Sequence, residues 1–549
     1  MNLLYFIFII FIILEVLFLS VAKYSSSKAV ELDRKEANRR LIKAVNQKKK
    51  RGYTMKRTFL CGLMVLLFIS SFNLSVLASS DAEVTENGTP LFMVVFNSQN
   101  LPENVEEIVE KAGGEITYQV PEVGVIEATS DTPGEFMKAI MNQKEVLSIG
   151  PSLEEQLDLP DFEVAESELF KTSKEAPVQN IWEDGWQWDI EQVTNNGASH
   201  DLDREGREDV VVAVIDSGFD FDHPDLADFV DEEGSRTFVP GTTNSWDFNS
   251  HGTHVAGTIG AEGRMKGVAP GVTLRSYRVF GASGGASQVW ITDAIISAAD
   301  DGADVINMSL GGTRLRGQWF FTDPNTGEQI RGGNSAADIV AYNRAIRYAI
   351  NKGVTVVSSA GNSAQDLSNP SKVADWQNSS RTDGWEAKGA VVFVPAQIPG
   401  VITVSATGGG FGTDDRLAFY SNYGNGAINI GAPGGDLGPE DGESASKYLV
   451  LSTVPTYMNF TTGRGPEAKA LFGSGYGWKG GTSMAAPQVS GAAAAYIAQQ
   501  YENTGVKPNP MQVQTHLQQT AVDTGKKGYD EHYGHGIVNS YNALSGIKR

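Results

Sequence analysis

The 549-residue sequence predicts an α/β fold, a parallel sheet with helices on both faces, preceded by a small α+β unit. Three observations carry that prediction. From Asp209 to Arg549, short runs rich in β-branched residues alternate with amphipathic stretches, the rhythm of strand and helix crossovers. Most of those runs are of the buried type expected of a parallel sheet covered on both faces. Residues 91–149 instead follow the order strand, helix, strand, strand, helix, strand, which is the pattern of a separate, smaller unit.

Composition limits the possibilities. A chain with 41% hydrophobic residues and 60 glycines is globular and rich in turns, with length enough for two or three domains. The formal net charge is -22, yet residues 1–57 hold 13 Lys and Arg against 4 Asp and Glu, about +9, which leaves about -31 on the remainder. Such an acidic balance argues against nucleic acid as a partner and favours a basic substrate. The single cysteine, Cys61, lies inside a hydrophobic run. If that run is removed, the working protein has neither thiol nor disulfide.

At the N-terminus, Leu3 to Ala22 is nearly all apolar and long enough to span a bilayer, and a basic stretch ending in Lys48-Lys49-Lys50-Arg51 follows. Met55-Lys56-Arg57 opens a second pattern: a charged start, the apolar run Phe59 to Ile69, then Val76-Leu77-Ala78 before Ser79, the layout of a secretory signal cut after Ala78. Two readings stand. Residues 1–54 are an extension that is not translated, with the signal at 55–78, or residues 1–78 form a membrane hairpin with its basic loop inside the cell. Both place Ser79 onward outside the cell, secreted or held by the N-terminal hydrophobic segment.

Within the next unit, 89–152, Leu91–Phe96, Ile116–Val120, Val123–Ala128 and Val146–Ile149 read as strands, with Pro102–Ala112 and Pro133–Gln143 as helices. The order is that of a split ferredoxin-like unit. Its place behind a signal and ahead of the main domain suggests an inhibitory propeptide. Residues 153–185 are an acidic linker with Pro160 and Pro177, where a processing cut would fall.

In the main domain, 186–549, Val210–Ile215, Thr273–Val279, Val305–Met308, Val354–Ser358 and Val401–Ser405 are the expected strands. Val289–Ala299 and Ile339–Ile350 are helices between them. Active residues of such a sheet belong at the carboxyl ends of its strands.

Four segments carry chemistry. The first strand ends in Ile215-Asp216-Ser217-Gly218, where a carboxylate is by itself often only a helix cap. His251-Gly252-Thr253-His254 begins a helix whose glycine permits close backbone approach. Two histidines at this spacing suggest a metal site, but the lack of a glutamate or cysteine at ligand spacing argues against zinc, and a zinc peptidase stays as a third, disfavoured reading. His251 is the candidate base and His254 a structural residue. Ser359-Ala360-Gly361-Asn362 ends another strand in a small-residue turn carrying an amide. Gly480-Gly481-Thr482-Ser483-Met484-Ala485-Ala486-Pro487 delivers a hydroxyl to the first turn of a helix of small residues, where unpaired N–H groups and the helix dipole favour developing negative charge. Ser483 alone reads as a cap on a core helix; the four segments together do not.

In these four segments the chain closely resembles the subtilisin family of serine peptidases, over roughly Gln187 to Leu544. The resemblance implies an Asp216–His251–Ser483 triad, with Asn362 as oxyanion donor, acting on polypeptides through an acyl-enzyme and needing no cofactor for the chemistry. It implies that Ser309, Leu310 and Gly311 pair with the substrate backbone, that Ser359, Ala360 and Gly361 wall the first pocket, and that Tyr277 to Gly284, including Gly281, form the other edge. A propeptide acting on its own chain and a monomeric enzyme also follow.

Two departures stand out. Asp225 matches a calcium-ligand aspartate of the family, but the ligand loop is cut to Glu262-Gly263-Arg264-Met265-Lys266, which argues against calcium at that site and leaves structural calcium open at another oxygen-rich one. Thr313 to Ser335 and Ser363 to Ala390 look like insertions beside the specificity pocket. Trp186-Gln187-Trp188-Asp189-Ile190 resembles the lantibiotic leader-peptidase branch, which implies a lantibiotic precursor cut after a basic residue, with Asp366 as a candidate pocket carboxylate. A catalytically inactive binding protein on the same fold is the reading from another class.

Overall fold

The structure is a computed structural model that describes residues 90–157, 178–202, 207–282, 284–322, 327, 329–331, 334–379, 381, 385–409, 415–438, 445–459, 469 and 471–548. The expected N-terminal extension and signal, 1–54 and 55–78, lie outside the described residues, as do 158–177 of the expected linker.

In chain order the first elements are β1 (Leu91–Phe96), α1 (Val105–Lys111), β2 (Glu115–Val120), β3 (Val125–Thr129), α2 (Pro133–Met141), β4 (Val146–Pro151) and β5 (Glu154–Gln156). There follow α3 (Trp188–Thr194), β6 (Val211–Asp216), β7 (Arg236–Thr237), α4 (His251–Gly260), β8 (Thr273–Arg278), β9 (Gly285–Ser287), α5 (Gln288–Asp300) and β10 (Val305–Met308). Then come β11 (Gly312–Thr322), β12 (Gln329–Arg331), α6 (Ala336–Asn351), β13 (Thr355–Ser359), α7 (Pro370–Ser379), β14 (Trp385–Val394), β15 (Ile402–Thr407) and β16 (Ile430–Pro433). The chain ends with β17 (Val450–Thr453), β18 (Tyr476–Lys479), α8 (Thr482–Thr504), α9 (Pro510–Thr520) and α10 (Ser540–Ser545).

Seven strands form the central sheet in the order β16-β15-β13-β10-β6-β8-β7, and every pairing within it is parallel. The side-chain period of two decides what each face covers. Along β6, Val212 and Val214 point into a core shared with α4 and α8, whereas Ala213 and Ile215 face the core under α5 and α6. Both faces are therefore apolar, which is why the strands read as continuous β-branched runs. The strand order reverses between β6 and β10, and at such a point an open α/β sheet leaves a crevice at its carboxyl edge.

Helix α8 runs through the middle of the domain, with every residue from Thr482 to Gln499 buried. Ala492 to Ala495 keep it narrow enough to pack against β6, β10, β13, β15 and β16 at once. Ser287 caps α5 by accepting from Val289 N–H, and Asn509 with Gln512 forms a capping box on α9.

The N-terminal strands make an antiparallel sheet in the order β2-β3-β1-β4. On β1, Phe92, Val94 and Phe96 pack beneath α1 and α2, while Met93 and Val95 enter the core that contains α5 and α6. Two polar anchors join the same layers: Tyr118 Oη donates to Asp293 at 2.7 Å, and Arg344 donates to the carbonyls of Ser98 and Val123 at 3.1 and 2.8 Å.

The two expected insertions are partners. Strand β11 pairs with β14 from Gly312 opposite Val394 to Phe321 opposite Trp385, and β12 completes a three-stranded antiparallel sheet.

Candidate active site

Asp216 is the last residue of β6, and His251 is the first of α4. The His251 Nδ1 lies 2.8 and 2.9 Å from the two Asp216 carboxylate oxygens, with both side chains buried. A carboxylate on Nδ1 fixes the tautomer with the proton there and leaves Nε2 as the acceptor nitrogen. That Nε2 is buried and has no hydrogen-bond partner in this structure. The start of α4 is held independently of the ring. Asp247 accepts from Ser250 N–H, Thr253 N–H and Thr253 Oγ1, and Ser217 Oγ accepts from Gly252 N–H while donating to Asp247.

Ser483 stands in the first turn of α8, behind Gly481 at φ 152°, a backbone angle that side chains other than glycine rarely adopt. Its hydroxyl donates to the Ser309 carbonyl at 3.1 Å. Pro487, four residues on, has no N–H to give the Ser483 carbonyl. Ser309 Oγ donates to that carbonyl instead, at 2.7 Å. Asn307 Nδ2 in turn reaches Ser309 Oγ at 3.0 Å, and Ser490 Oγ reaches Asn307 Oδ1 at 2.8 Å. This polar chain ties the end of β10 to the helix of Ser483 through the core.

The Asn362 amide is oriented by its oxygen, which accepts from Thr482 N–H at 2.9 Å and Thr482 Oγ1 at 2.8 Å. Asn362 and Ser483 line one small pocket together with Ser309, Leu310, Gly311, Ser359, Gly361, Phe393, Val394 and Ala396. Ala360 lies behind that wall, fully buried, with its N–H on the Val404 carbonyl. Phe393 and Val394 come from β14, and the motif reading had no means of finding them. A second signal was present in the sequence: Trp385-Glu-Ala-Lys-Gly-Ala-Val-Val-Phe-Val is strand-forming and ends at Pro395.

Several expectations are corrected. Tyr277 is not on the groove: it lies inside β8, fully buried, with its hydroxyl on Asp301 Oδ2 at 2.9 Å. The edge begins farther along, after a turn closed by Gly284 N–H on the Gly281 carbonyl. Gly281 therefore supports the edge from its turn, and β9 forms it. Asp225 does not fit a calcium ion. Its carboxylate accepts from Arg264 N–H, Met265 N–H and Tyr476 Oη, so the shortened loop is anchored by donors where cation ligands would need lone pairs. Beside it, the Arg264 guanidinium donates to the carbonyls of Gln179, Phe472 and Val178. Asp366 turns its carboxylate onto Ser368 and is absent from the pocket lining.

The buried groups nearby are electrostatically distinct. Burial drives His254 well below the usual histidine value, and Lys479 adds to that effect; the ring bonds the Val450 carbonyl and stays neutral. Lys479 Nζ lies 3.0 Å from Ser250 Oγ, and burial lowers it while Asp247 and Asp216 hold it up.

A parallel sheet whose carboxyl edge gathers a carboxylate, an imidazole, a helix-borne serine and an amide defines a serine hydrolase. Residues 207–536 match the subtilase family, and the chain belongs to it as a serine protease. The epidermin leader peptide-processing serine protease EpiP of Staphylococcus epidermidis is 29% identical over 80% of this chain and 90% of its own length. The nisin leader peptide-processing serine protease NisP of Lactococcus lactis is 30% identical over 77% of this chain and 57% of its own length. A crystal structure of EpiP from Staphylococcus aureus superposes with a TM-score of 0.62 at 26% identity, covering 84% of this chain and 99% of that one.

Proposed function

We propose that the protein is a secreted serine endopeptidase made as a zymogen, with Ser483 as nucleophile. His251 takes the Ser483 proton as the oxygen attacks the scissile carbonyl, then returns it to the leaving amine. Asp216 holds the ring in the needed tautomer and stabilises the imidazolium. The Asn362 amide and the Ser483 backbone N–H receive the oxyanion. The observation that carries this reading is the doubly bonded Asp216–His251 pair, whose helix packs against the helix of Ser483 and leaves Nε2 without another partner. For that transfer the Ser483 hydroxyl must leave the Ser309 carbonyl it bonds here, and such catalytic bonds commonly form or tighten only once substrate is bound.

The zymogen reading is supported by β5. After β4 the chain runs antiparallel to β9, with Glu154 opposite Ser287 and Gln156 opposite Gly285, and Leu157 N–H reaches the Gly284 carbonyl at 3.0 Å. A segment of the enzyme's own chain thus occupies a groove edge as a peptide substrate would. Secretion rests on the signal pattern of residues 55–78, and N-terminal sequencing of extracellular protein tests both points.

The narrower reading, a peptidase for a lantibiotic leader, draws on the names of the relatives. A preference for cutting after a basic residue gains nothing from the pocket, whose lining residues are all uncharged. A cleavage profile tests this: a dedicated leader peptidase leaves casein largely intact. An inactive binding protein on this fold is the alternative class, and it predicts no reaction of Ser483 with a fluorophosphonate.

A further inference from the structure

The groove has a second recess, away from the Ser483 pocket, and Glu155 of β5 fills it. Its carboxylate is buried with Arg314, Gln288, Asp338 and Tyr342, each at most 3% exposed. Arg314 Nη2 donates to Glu155 Oε1 at 2.7 Å and to Gln288 Oε1 at 3.1 Å, and Tyr342 Oη lies 3.3 Å from the same Glu155 oxygen. Gly312 makes room for it, since a Cβ there would lie 2.3 Å from Glu155 Oε2.

The walls and the visitor have different origins. Arg314 and Gly312 come from β11, Gln288 from the first turn of α5, and Asp338 and Tyr342 from α6, all within the protease-family match. Glu155 lies outside that match, on the strand laid along β9 opposite Ala286. The recess therefore belongs to the enzyme, and its occupant belongs to a segment that runs where substrate would run. Its chemistry is selective. The Arg314 guanidinium gives Nη1 to the Thr313 carbonyl and Nη2 to the Glu155 carboxylate, a charge-assisted bond, and a buried cation left against a neutral or basic side chain is costly. Asp338 does not spoil the match: burial pushes its carboxyl up to about 7, and its nearest approach to Arg314 is 3.8 Å.

We propose that this recess is a carboxylate-selecting subsite, in which Arg314 makes the enzyme prefer peptides that place a glutamate or aspartate side chain opposite Ala286. The proposal rests on the peptidase reading above, with Glu155 standing in for the substrate side chain.

The test uses the full chain after its own processing and a set of internally quenched peptides. In the set, one glutamate is moved through successive positions upstream of the cleaved bond, with glutamine and lysine versions at each position. At one position the glutamate peptide should exceed the glutamine peptide at least tenfold in kcat/KM, mostly through KM, and the lysine peptide by more. In Arg314→Gln that ratio should fall to within twofold. Gly312→Ala carries the same test should Arg314→Gln not fold, because its methyl group takes the place of the carboxylate oxygen. Equal rates for glutamate and glutamine at every position in the wild type would overturn the subsite, as would a preference that survives in both variants. A protein that cleaves no peptide and takes no fluorophosphonate label would overturn the peptidase reading, and the subsite with it.

Discussion

The carboxyl edge of the central sheet and the walls of the groove are built in opposite ways. At the edge, each functional group sits at the end of one strand or the start of one helix: Asp216 closes β6, His251 opens α4, and Ser483 lies in the first turn of α8. Its placement depends on a few neighbours in sequence. The walls are assembled from distant segments, with Gly312 opposite Val394 and Glu155 joined to Arg314 across 159 residues. On the proposed function, chemistry is encoded locally and selectivity nonlocally. Substitutions at the edge should change rate, whereas those in the walls should change which peptide is accepted.

The largest effect expected is at the edge. Ser483→Ala should lower kcat by about 10⁶-fold with the fold unchanged, on the scale of nucleophile removal in other serine peptidases. Hydrolysis by that variant near the parental rate would break the comparison at its root. Asp216→Asn should cost about 10⁴-fold in kcat by admitting the wrong tautomer of His251, with substrate affinity little altered. Asn362→Ala should cost roughly 10²–10³-fold in kcat with KM nearly constant, and a change confined to KM would reassign it to the wall.

A wall residue should behave otherwise. Phe393→Ala should shift the preference for the residue entering the Ser483 pocket toward larger apolar side chains by about tenfold, while the best kcat stays within a fewfold. Competition between paired peptides in one reaction reads that shift directly.

The smallest effect expected concerns the core behind both regions. Burial pushes Asp189 from 3.8 up to about 7, against the lowering effect of Gln488, which donates to it at 2.7 Å. The native chain therefore keeps a proton there that the unfolded chain has already lost. The stability linked to that proton is present in full below about pH 4 and is lost as pH rises through 7. In a Ser483→Ala background, which removes autolysis, Asp189→Asn should gain relative stability between pH 5 and pH 8, by at most a few kcal/mol. Urea midpoints at the two pH values check this, and a difference independent of pH would contradict it.

How much of this was legible follows from the same contrast. The strands of the central sheet were readable because burial on both faces makes them short, β-branched and apolar; Val305–Met308 matches its observed bounds. Asp216, His251, Asn362 and Ser483 were readable because each stands in a short motif whose glycines or small residues are needed for the turn. Tyr277 was misplaced because a strand and the edge that follows it after a turn look continuous in sequence. Phe393, Val394 and the β11–β14 pairing were invisible as a site, since nothing in either segment names its partner. Nothing in the sequence around Arg314 or Glu155 marks either as half of a buried pair, since 159 residues separate them.

The central claim is most directly tested by treating the processed enzyme with a fluorophosphonate probe and mapping the adduct by mass spectrometry. The account predicts one adduct, on Ser483, formed at a rate that falls steeply in His251→Ala. An unlabelled Ser483, or labelling that is indifferent to His251, would contradict it.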